Sequence, residues 1–277
     1  MTKRLLIFYL SALISACWSS DDNINDNSGV SKCDIAKEIY ENSGIQGTHE
    51  SQVLLDSAIN LCPDMTDAYH EISVPYLKRG DYFTWLVYLN KAIEKEPERF
   101  LGIRAWCRVK FLHDYNNSFD DFKKLESINR NSTIIVADNN IYSWMALCKA
   151  GLGEMETALM YIEKSINSAI TEHGTEWVGM YDFFYRGNIN IALGKFNDAL
   201  KDFDNQLKLS PNLIDAYYYR AKTLINMSRK NEALTWLLRA KSLLKNEGYS
   251  INDPYVEMPW RIYEKDIDEA IFRLKRH

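Results

Sequence analysis

The stretch "FFYRGNINIALGKFNDALKDFDNQLKLSP", residues 183–211, decides the fold of this chain. It predicts two helices around a turn, because Gly194 is well suited to end a helix and Asn197 and Asp198 are suited to begin the next. Apolar residues recur at helical spacing in the second segment, and Pro211 closes the unit. The stretch is therefore predicted to be a helical hairpin.

The same pattern recurs along the chain with a fixed period. Small side chains stand where two helices of a hairpin must approach closely, and their spacing repeats. From Ser73 to Cys107 and from Gly187 to Ala221 the separation is 34 residues. A shared period of this length indicates a repeat protein whose units stack on one another. Three further copies of the hairpin pattern occupy residues 68–97, 141–166 and 216–244.

This pattern resembles the tetratricopeptide repeat (TPR) family, whose unit is a helical hairpin of 34 residues. The resemblance implies an all-α fold, a right-handed superhelix (solenoid) of about six TPR-type hairpins over residues 31–247. The sequence departs from the repeat at two insertions, "NRNSTIIV" (129–136) and "TEHGTEWVG" (171–179). In residues 248–277 we expect a C-terminal capping helix, because apolar side chains recur there at helical spacing. They are Trp260, Tyr263, Ile267, Ile271 and Leu274.

The N-terminus has the pattern of a secretory signal. Lys3 and Arg4 precede an apolar run that ends at Ala16, too short to span a bilayer as a helix. The order Ile14-Ser15-Ala16-Cys17 resembles the lipobox of bacterial lipoproteins. The resemblance implies that Cys17 is lipidated and becomes the first mature residue. The alternative is a simple signal peptide cleaved nearby, with the cysteine incidental.

Under the lipoprotein interpretation, residues 1–16 are a signal peptide and residues 17–30 a flexible tether after the lipidated cysteine, because that stretch is rich in Ser, Asp, Asn and Gly. One acyl chain holds a protein to a membrane only marginally, whereas the several chains that the resemblance implies hold it stably. We expect a bacterial cell-envelope protein, lipid-anchored at the outer membrane and facing the periplasm or the surface.

The charge of the chain argues against nucleic acid as a partner. The net charge is −5, and loss of Lys3 and Arg4 with the signal peptide makes it −7. No Lys/Arg-rich run or basic stripe with interleaved aromatics occurs in the sequence. No small-molecule substrate is evident either.

Catalytic and metal-binding patterns are also missing from the sequence. The five histidines are scattered without an i, i+4 pair, so we expect no metal site and no cofactor. "GLG" at residues 151–153 falls on a repeat turn, and the neighbours Asp120 and Asp121 are expected on a solvated helix face. We predict that the protein is not an enzyme. The alternative, a hydrolase-like envelope enzyme with an unrecognised site in the groove, stays open.

In the TPR fold the first helices of the hairpins line a groove, and the resemblance therefore implies a peptide-binding surface there. The partner would be a protein or peptide, and the chain an assembly scaffold or adaptor. The candidate residues are aromatic, amide or cationic, and for any one of them an ordinary solvated wall is the alternative. They are Tyr181, Phe184, Asn188, Tyr218, Lys222, Arg104, Arg108 and His70.

Four cysteines remain after Cys17. Cys33 opens the first helix of the first hairpin and Cys62 closes its second helix. Because antiparallel helices bring those ends side by side, we predict a disulfide in an oxidising compartment. Cys107 and Cys148 are predicted to be small apolar core residues with free thiols.

Overall fold

The computed structural model describes residues 30–129 and 133–276, which are mainly helical. The predicted signal peptide, Cys17 and residues 18–29 of the predicted tether lie outside the described residues. None of the described helices is long and apolar enough to cross a membrane.

Thirteen α-helices form in the described parts, and the first twelve pair consecutively into six hairpins. The second helix of each hairpin also packs on the first helix of the next. The predicted all-α solenoid of about six hairpins is confirmed. The pairs are α1 (Lys32–Glu41) with α2 (His49–Leu61), α3 (Thr66–Lys78) with α4 (Tyr82–Lys95), α5 (Pro97–Cys107) with α6 (Tyr115–Ile128), α7 (Ile141–Gly151) with α8 (Met155–Glu172), α9 (Asp182–Ala192) with α10 (Phe196–Leu209), and α11 (Ile214–Asn226) with α12 (Lys230–Leu244).

The turn inside each hairpin from the second to the sixth contains one residue of left-handed backbone conformation. Glycine occupies it in three of them, as at Gly194 with φ 71°. Two hairpins place other residues there, His113 with φ 52° and Ser228 with φ 62°. A residue with a Cβ pays about 1 kcal/mol for this conformation, so the repeated geometry outweighs the local preference in those two turns.

Helix contact within a hairpin depends on small side chains at the crossing. At Gly187 in α9, a Cβ atom would lie 2.7 Å from the Phe203 ring of α10, too close for any larger residue. In the third hairpin the small residue Ser118 of α6 lies against α5, where its hydroxyl donates to the Ala105 carbonyl at 2.6 Å. The small residues that set the sequence period therefore mark close helix approaches.

The third hairpin departs from the others at the end of its first helix. A π-helical turn, Arg108–Leu112, follows α5, and the Asp114 N–H donates to the Arg108 carbonyl at 3.1 Å. A π-turn inserts an extra residue and rotates the side chains that follow. Lys110 lies in this turn.

The insertion between α6 and α7 forms a short β-hairpin where it is described. Strands β1 (Ile135–Val136) and β2 (Asn139–Asn140) pair antiparallel. The two-residue connection has positive φ at Ala137 (47°) and Asp138 (61°), the geometry of a tight hairpin turn. Alanine seldom adopts this conformation, so the turn carries local strain.

The C-terminal helix α13 (Glu264–Arg276) covers the last hairpin, as predicted. Ile267 and Ile271 are buried in one cluster with Leu237 and Ala240 of α12. The helix begins later than its sequence pattern indicates, because Trp260 and Tyr263 precede it.

The first hairpin is closed covalently. A disulfide joins Cys33 and Cys62, whose Cα atoms are 4.9 Å apart. Cys107 and Cys148 are buried free thiols, and burial raises the pKa of each to about 12. A buried thiol with so high a pKa is inert, which fits the packing role predicted for both.

Candidate functional site

The chain crosses its own solenoid between α12 and α13. Residues 249–262, here called the strap, run over the first helices of the third to sixth hairpins, a surface here called the first-helix face. The strap begins beside α11, where the Ile214 N–H donates to the Tyr249 carbonyl at 2.9 Å. The Tyr249 N–H donates to the Asn212 carbonyl at 3.0 Å.

One buried carboxylate holds both ends of the strap. Asp215, in the first turn of α11, has no exposed surface. Its Oδ2 accepts the N–H of Ile251 and its Oδ1 the N–H of Ile262, both at 2.9 Å. Burial raises the pKa of Asp215, against the lowering effect of the two N–H donors. Since Ile251 and Ile262 are themselves buried, this contact pins the strap at two points.

An ion pair fastens the middle of the strap to the third hairpin. The Lys110 Nζ lies 2.5 Å from the Asp253 Oδ2, and both side chains are about 15% exposed. Burial alone would raise the pKa of Asp253, but the Lys110 ammonium and the Tyr255 N–H outweigh it and hold the pKa below its ordinary value. The π-turn therefore has a function in the fold, because it carries the lysine that binds the strap.

The strap ends in an aromatic contact with the fifth hairpin. The Trp260 ring lies 5.8 Å from the ring of Tyr185 in α9. Trp260 adopts a left-handed backbone conformation, with φ 58°. For a residue this large the conformation is strained. In this conformation the indole lies over the first-helix face.

A cavity of about 580 Å³ lies between the strap and the third and fourth hairpins, here called the strap cavity. Its size lies in the range of about 300–1,000 Å³ typical of ligand sites. Its walls combine aromatic rings, methionines and a few charges. The aromatic and methionine side chains are Trp106, Tyr115, Trp144, Trp260, Met155 and Met258, and the charged ones are Lys110, Asp138, Asp253 and Glu257.

The β-hairpin insertion forms one edge of the cavity. Its turn residues Ala137 and Asp138 line the opening. The Trp144 indole N–H donates to the Val136 carbonyl at 2.8 Å, which fixes both the ring and the β-hairpin. The strained turn is thus held at the mouth of the cavity by a buried tryptophan.

Two of the predicted groove residues are buried in the core. Phe184 has no exposed surface, and its ring packs against Tyr219 at 5.6 Å and Phe203 at 6.2 Å. Asn188 is 4% exposed, and its amide donates to the Phe184 carbonyl at 2.9 Å. The prediction that these two side chains meet a partner is wrong, because α9 is covered on both sides by its neighbours.

The two predicted groove arginines are committed to one buried carboxylate. Arg104 binds Asp121 through two nitrogens, at 2.9 and 2.7 Å, and Arg108 binds it at 2.6 Å. Asp121 is 6% exposed, so the expectation of a solvated face holds for its neighbour Asp120 and is wrong for Asp121. These guanidinium groups join α5 and the π-turn to α6 and are not free to bind a partner.

The remaining candidates are partly exposed but do not form one surface. His70 packs against Phe100 at 5.5 Å, and burial lowers its pKa. Tyr181 lies beside Tyr185 on the fifth hairpin. Tyr218 and Lys222 line a smaller cavity of about 370 Å³ against α13. The structure therefore separates residues that the sequence placed on a single face.

A hydroxyl and carboxylate cluster lies in the core between α7, α8 and α9. Asp182 Oδ2 accepts from Ser143 and Ser165, each at 2.8 Å, and all three residues are 1–2% exposed. The cluster is closed to substrate and links three helices. Among the described residues, no group of three or more His, Cys, Asp or Glu is arranged to hold a metal ion.

The residues of the strap cavity were missed at the sequence level. Several of them belong to segments that break the repeat, namely the π-turn, the insertion before α7 and the proline-containing stretch before α13, and most of the others lie on helices α5 to α8. The signal that could have found them was present, since insertions in a repeat protein map to loops that often form the binding face.

No protein-family model matches the sequence, and no curated protein matches it at a significant level. Solved structures of TPR proteins match the fold. PilW, described as a widely conserved type IV pilus biogenesis factor, matches with a TM-score of 0.58 and 15% identity, covering 77% of this chain and 92% of its own. PilF of Pseudomonas aeruginosa matches with a TM-score of 0.55 and 11% identity, covering 78% of this chain and 91% of its own.

A third structure is YrrB, described as a TPR protein with an unusual peptide-binding site. It matches with a TM-score of 0.52 and 16% identity, covering 69% of this chain and 93% of its own. At these identities the likeness concerns the fold alone. The chain has the helical-hairpin solenoid of TPR proteins.

Proposed function

We propose that this chain is a lipid-anchored interaction module of a bacterial cell envelope, which holds a protein or peptide partner on its first-helix face. The strap cavity is the observation that carries the proposal. It is preformed, aromatic and open on that face, and segments that the repeat does not require, the π-turn, the β-hairpin and the strap, complete its walls. Two similar solved structures support the class of function, one described as a pilus biogenesis factor and one as having a peptide-binding site.

The architecture suits a scaffold because its binding surface costs little to organise. Asp215, Lys110 and Trp260 hold the strap in place before any partner arrives. When a partner enters the cavity, only the partner loses conformational entropy, because the site is already ordered. This smaller entropy loss favours affinity from a small contact.

Site-specific photo-crosslinking in the native envelope tests this function. A photoreactive amino acid replaces Met258, a partly exposed residue that lines the cavity, and in a matched control it replaces Met160, which is 54% exposed on the second helix α8. We expect a discrete crosslinked adduct from position 258 and none from position 160. Adducts of equal yield from both positions, or from neither, contradict the proposal.

The anchoring is tested separately, through Cys17. If this cysteine carries the acyl chains, Cys17→Ser moves the protein from the membrane fraction to the soluble fraction or leaves it unprocessed, because the described part holds no membrane-spanning helix. The measurement is fractionation together with the mass of the mature first residue. A wild-type protein that is wholly soluble and has no acyl mass on that residue contradicts the anchor. We propose the outer membrane as its location.

A further inference from the structure

The strap cavity carries more negative than positive charge. Three carboxylates and one ammonium line it: Asp138, Asp253, Glu257 and Lys110. Three negative charges against one positive charge leave a surplus of two. Lys110 and Asp253 neutralise each other at 2.5 Å. The surplus therefore resides on Asp138 and Glu257.

These two carboxylates are available to a partner. Both are exposed at the cavity, and within the described residues neither forms an ion pair. Glu257 accepts a hydrogen bond from a neutral group, the Tyr263 hydroxyl, at 3.0 Å. A neutral donor leaves the charge in place. A cationic group at the mouth of the cavity would be attracted by both carboxylates, whereas an anionic group would be repelled.

The walls behind the carboxylates favour large apolar groups and cations. Trp106, Trp144 and Trp260 present aromatic surface to the cavity. The Lys110 ammonium already lies 4.7 Å from the centre of the Trp106 ring, so these walls accept a cation over an aromatic face. Two further indoles remain beside the cavity. The volume of about 580 Å³ has room for more than one large side chain.

We propose that the strap cavity binds a peptide segment in which lysine or arginine flanks a large apolar side chain. The apolar side chain enters among the tryptophans, and the cations meet Asp138 and Glu257 at the rim. This inference rests on the proposed function and specifies the chemistry of the partner. Recognition depends on both parts of the motif, because the apolar side chain alone leaves the carboxylates without a cation, and the cations alone leave the aromatic walls without an apolar contact.

Three fluorescein-labelled octapeptides test the motif by fluorescence anisotropy, with the full mature protein in detergent. The first is Gly-Ser-Lys-Trp-Leu-Lys-Ser-Gly. The second has glutamate in place of both lysines, and the third has serine in place of the Trp-Leu pair. We expect the first peptide to bind at least tenfold more tightly than either of the others, and added salt to weaken its binding. Equal binding of the lysine and glutamate peptides overturns the inference.

A charge variant locates the contact. Asp138→Asn with Glu257→Gln removes the two surplus charges from exposed positions, so folding is retained. We expect it to weaken the lysine peptide at least fivefold and to leave the glutamate peptide no weaker. The matched control is Asp120→Asn with Glu163→Gln, two exposed carboxylates outside the cavity, which should change neither affinity. Equal losses in both double variants overturn the location.

The proposed function and the proposed chemistry of the partner can be refuted independently. If position 258 yields a crosslinked partner while no peptide binds, the proposed function stands and the partner chemistry is wrong. If neither crosslinking nor peptide binding occurs, the proposed function fails as well.

Discussion

Asp215→Asn should release the strap while leaving the helical hairpins folded. The carboxylate offers one oxygen to the Ile251 N–H and one to the Ile262 N–H, both at 2.9 Å. Asparagine is nearly the same shape but has one oxygen and one NH₂ group. In the variant, one strap N–H therefore faces another donor, with no acceptor in its place.

The size of the effect follows from that mismatch. A hydrogen bond to a charged group contributes about 1.5–3 kcal/mol, and a buried donor left without a partner costs about 1–3 kcal/mol. We take about 3 kcal/mol for the loss in the free energy of strap opening. Since 1.4 kcal/mol corresponds to a factor of ten, amide exchange in the strap should accelerate by about 10²-fold.

Hydrogen–deuterium exchange with mass spectrometry measures this segment by segment. Peptides that cover residues 249–262 should exchange faster in the variant, while those of α9 (Asp182–Ala192) stay protected. Asp204→Asn is the matched control. Asp204 pairs with Arg220 of α11 at 2.7 Å but accepts no strap N–H, so its loss should leave strap exchange unchanged.

Two results would refute the reasoning. If strap exchange is unchanged in a folded Asp215→Asn protein, the carboxylate is not its anchor. If all helices accelerate by the same factor as the strap, the strap does not open as a separate unit and belongs to the cooperative core.

Three further predictions concern stability. Phe184→Ala should lower the free energy of unfolding by about 3–5 kcal/mol, because the ring is fully buried. Tyr218→Ala should lower it markedly less, because that ring is partly exposed. Equal losses in urea denaturation would show that both rings belong to the core. Replacing Cys33 and Cys62 by serine should lower the free energy of unfolding by about 3.6 kcal/mol, the chain-entropy value for a sequence separation of 29. Thiol counting on unfolded, unreduced wild-type protein should find two free thiols, and a count of four would contradict the bond. Burial raises the pKa of Asp182, so its stabilising contribution is present below its ordinary value of 3.8 and is lost as the pH rises through the raised value. Asp182→Asn should therefore gain stability relative to the wild type as the pH rises above 3.8, and a difference that stays constant with pH would exclude ionisation of this residue as the cause.

The departures from the sequence-based interpretation share one physical origin. A helical period shows which residues lie on one face, but not what covers that face. Phe184 and Asn188 lie on the face of α9 that the repeat pattern assigns to the groove, and there both are buried by neighbouring elements. Arg104 and Arg108 were expected to present their charge to a partner, but Asp121 on the facing helix binds both of them.

The sequence by itself determined the stacked hairpins and the capping helix. These depend on local signals: helix-ending glycines, caps, and small residues that return with the period of 34 and set the distance between helices. Every unit meets its neighbour in the same way, so one copy of the pattern describes most of the chain.

Only the tertiary structure decided where a partner can bind. The strap cavity joins Lys110, Trp144 and Trp260, which are far apart in sequence and meet because residues 249–262 fold back over the solenoid, where Asp215 holds them. No local propensity encodes that return. It depends on a buried carboxylate with two backbone donors and on an ion pair, contacts that exist only when the hairpins are already stacked. The repeats thus follow from short-range order, and the site follows from long-range contacts between the strap and the stacked hairpins.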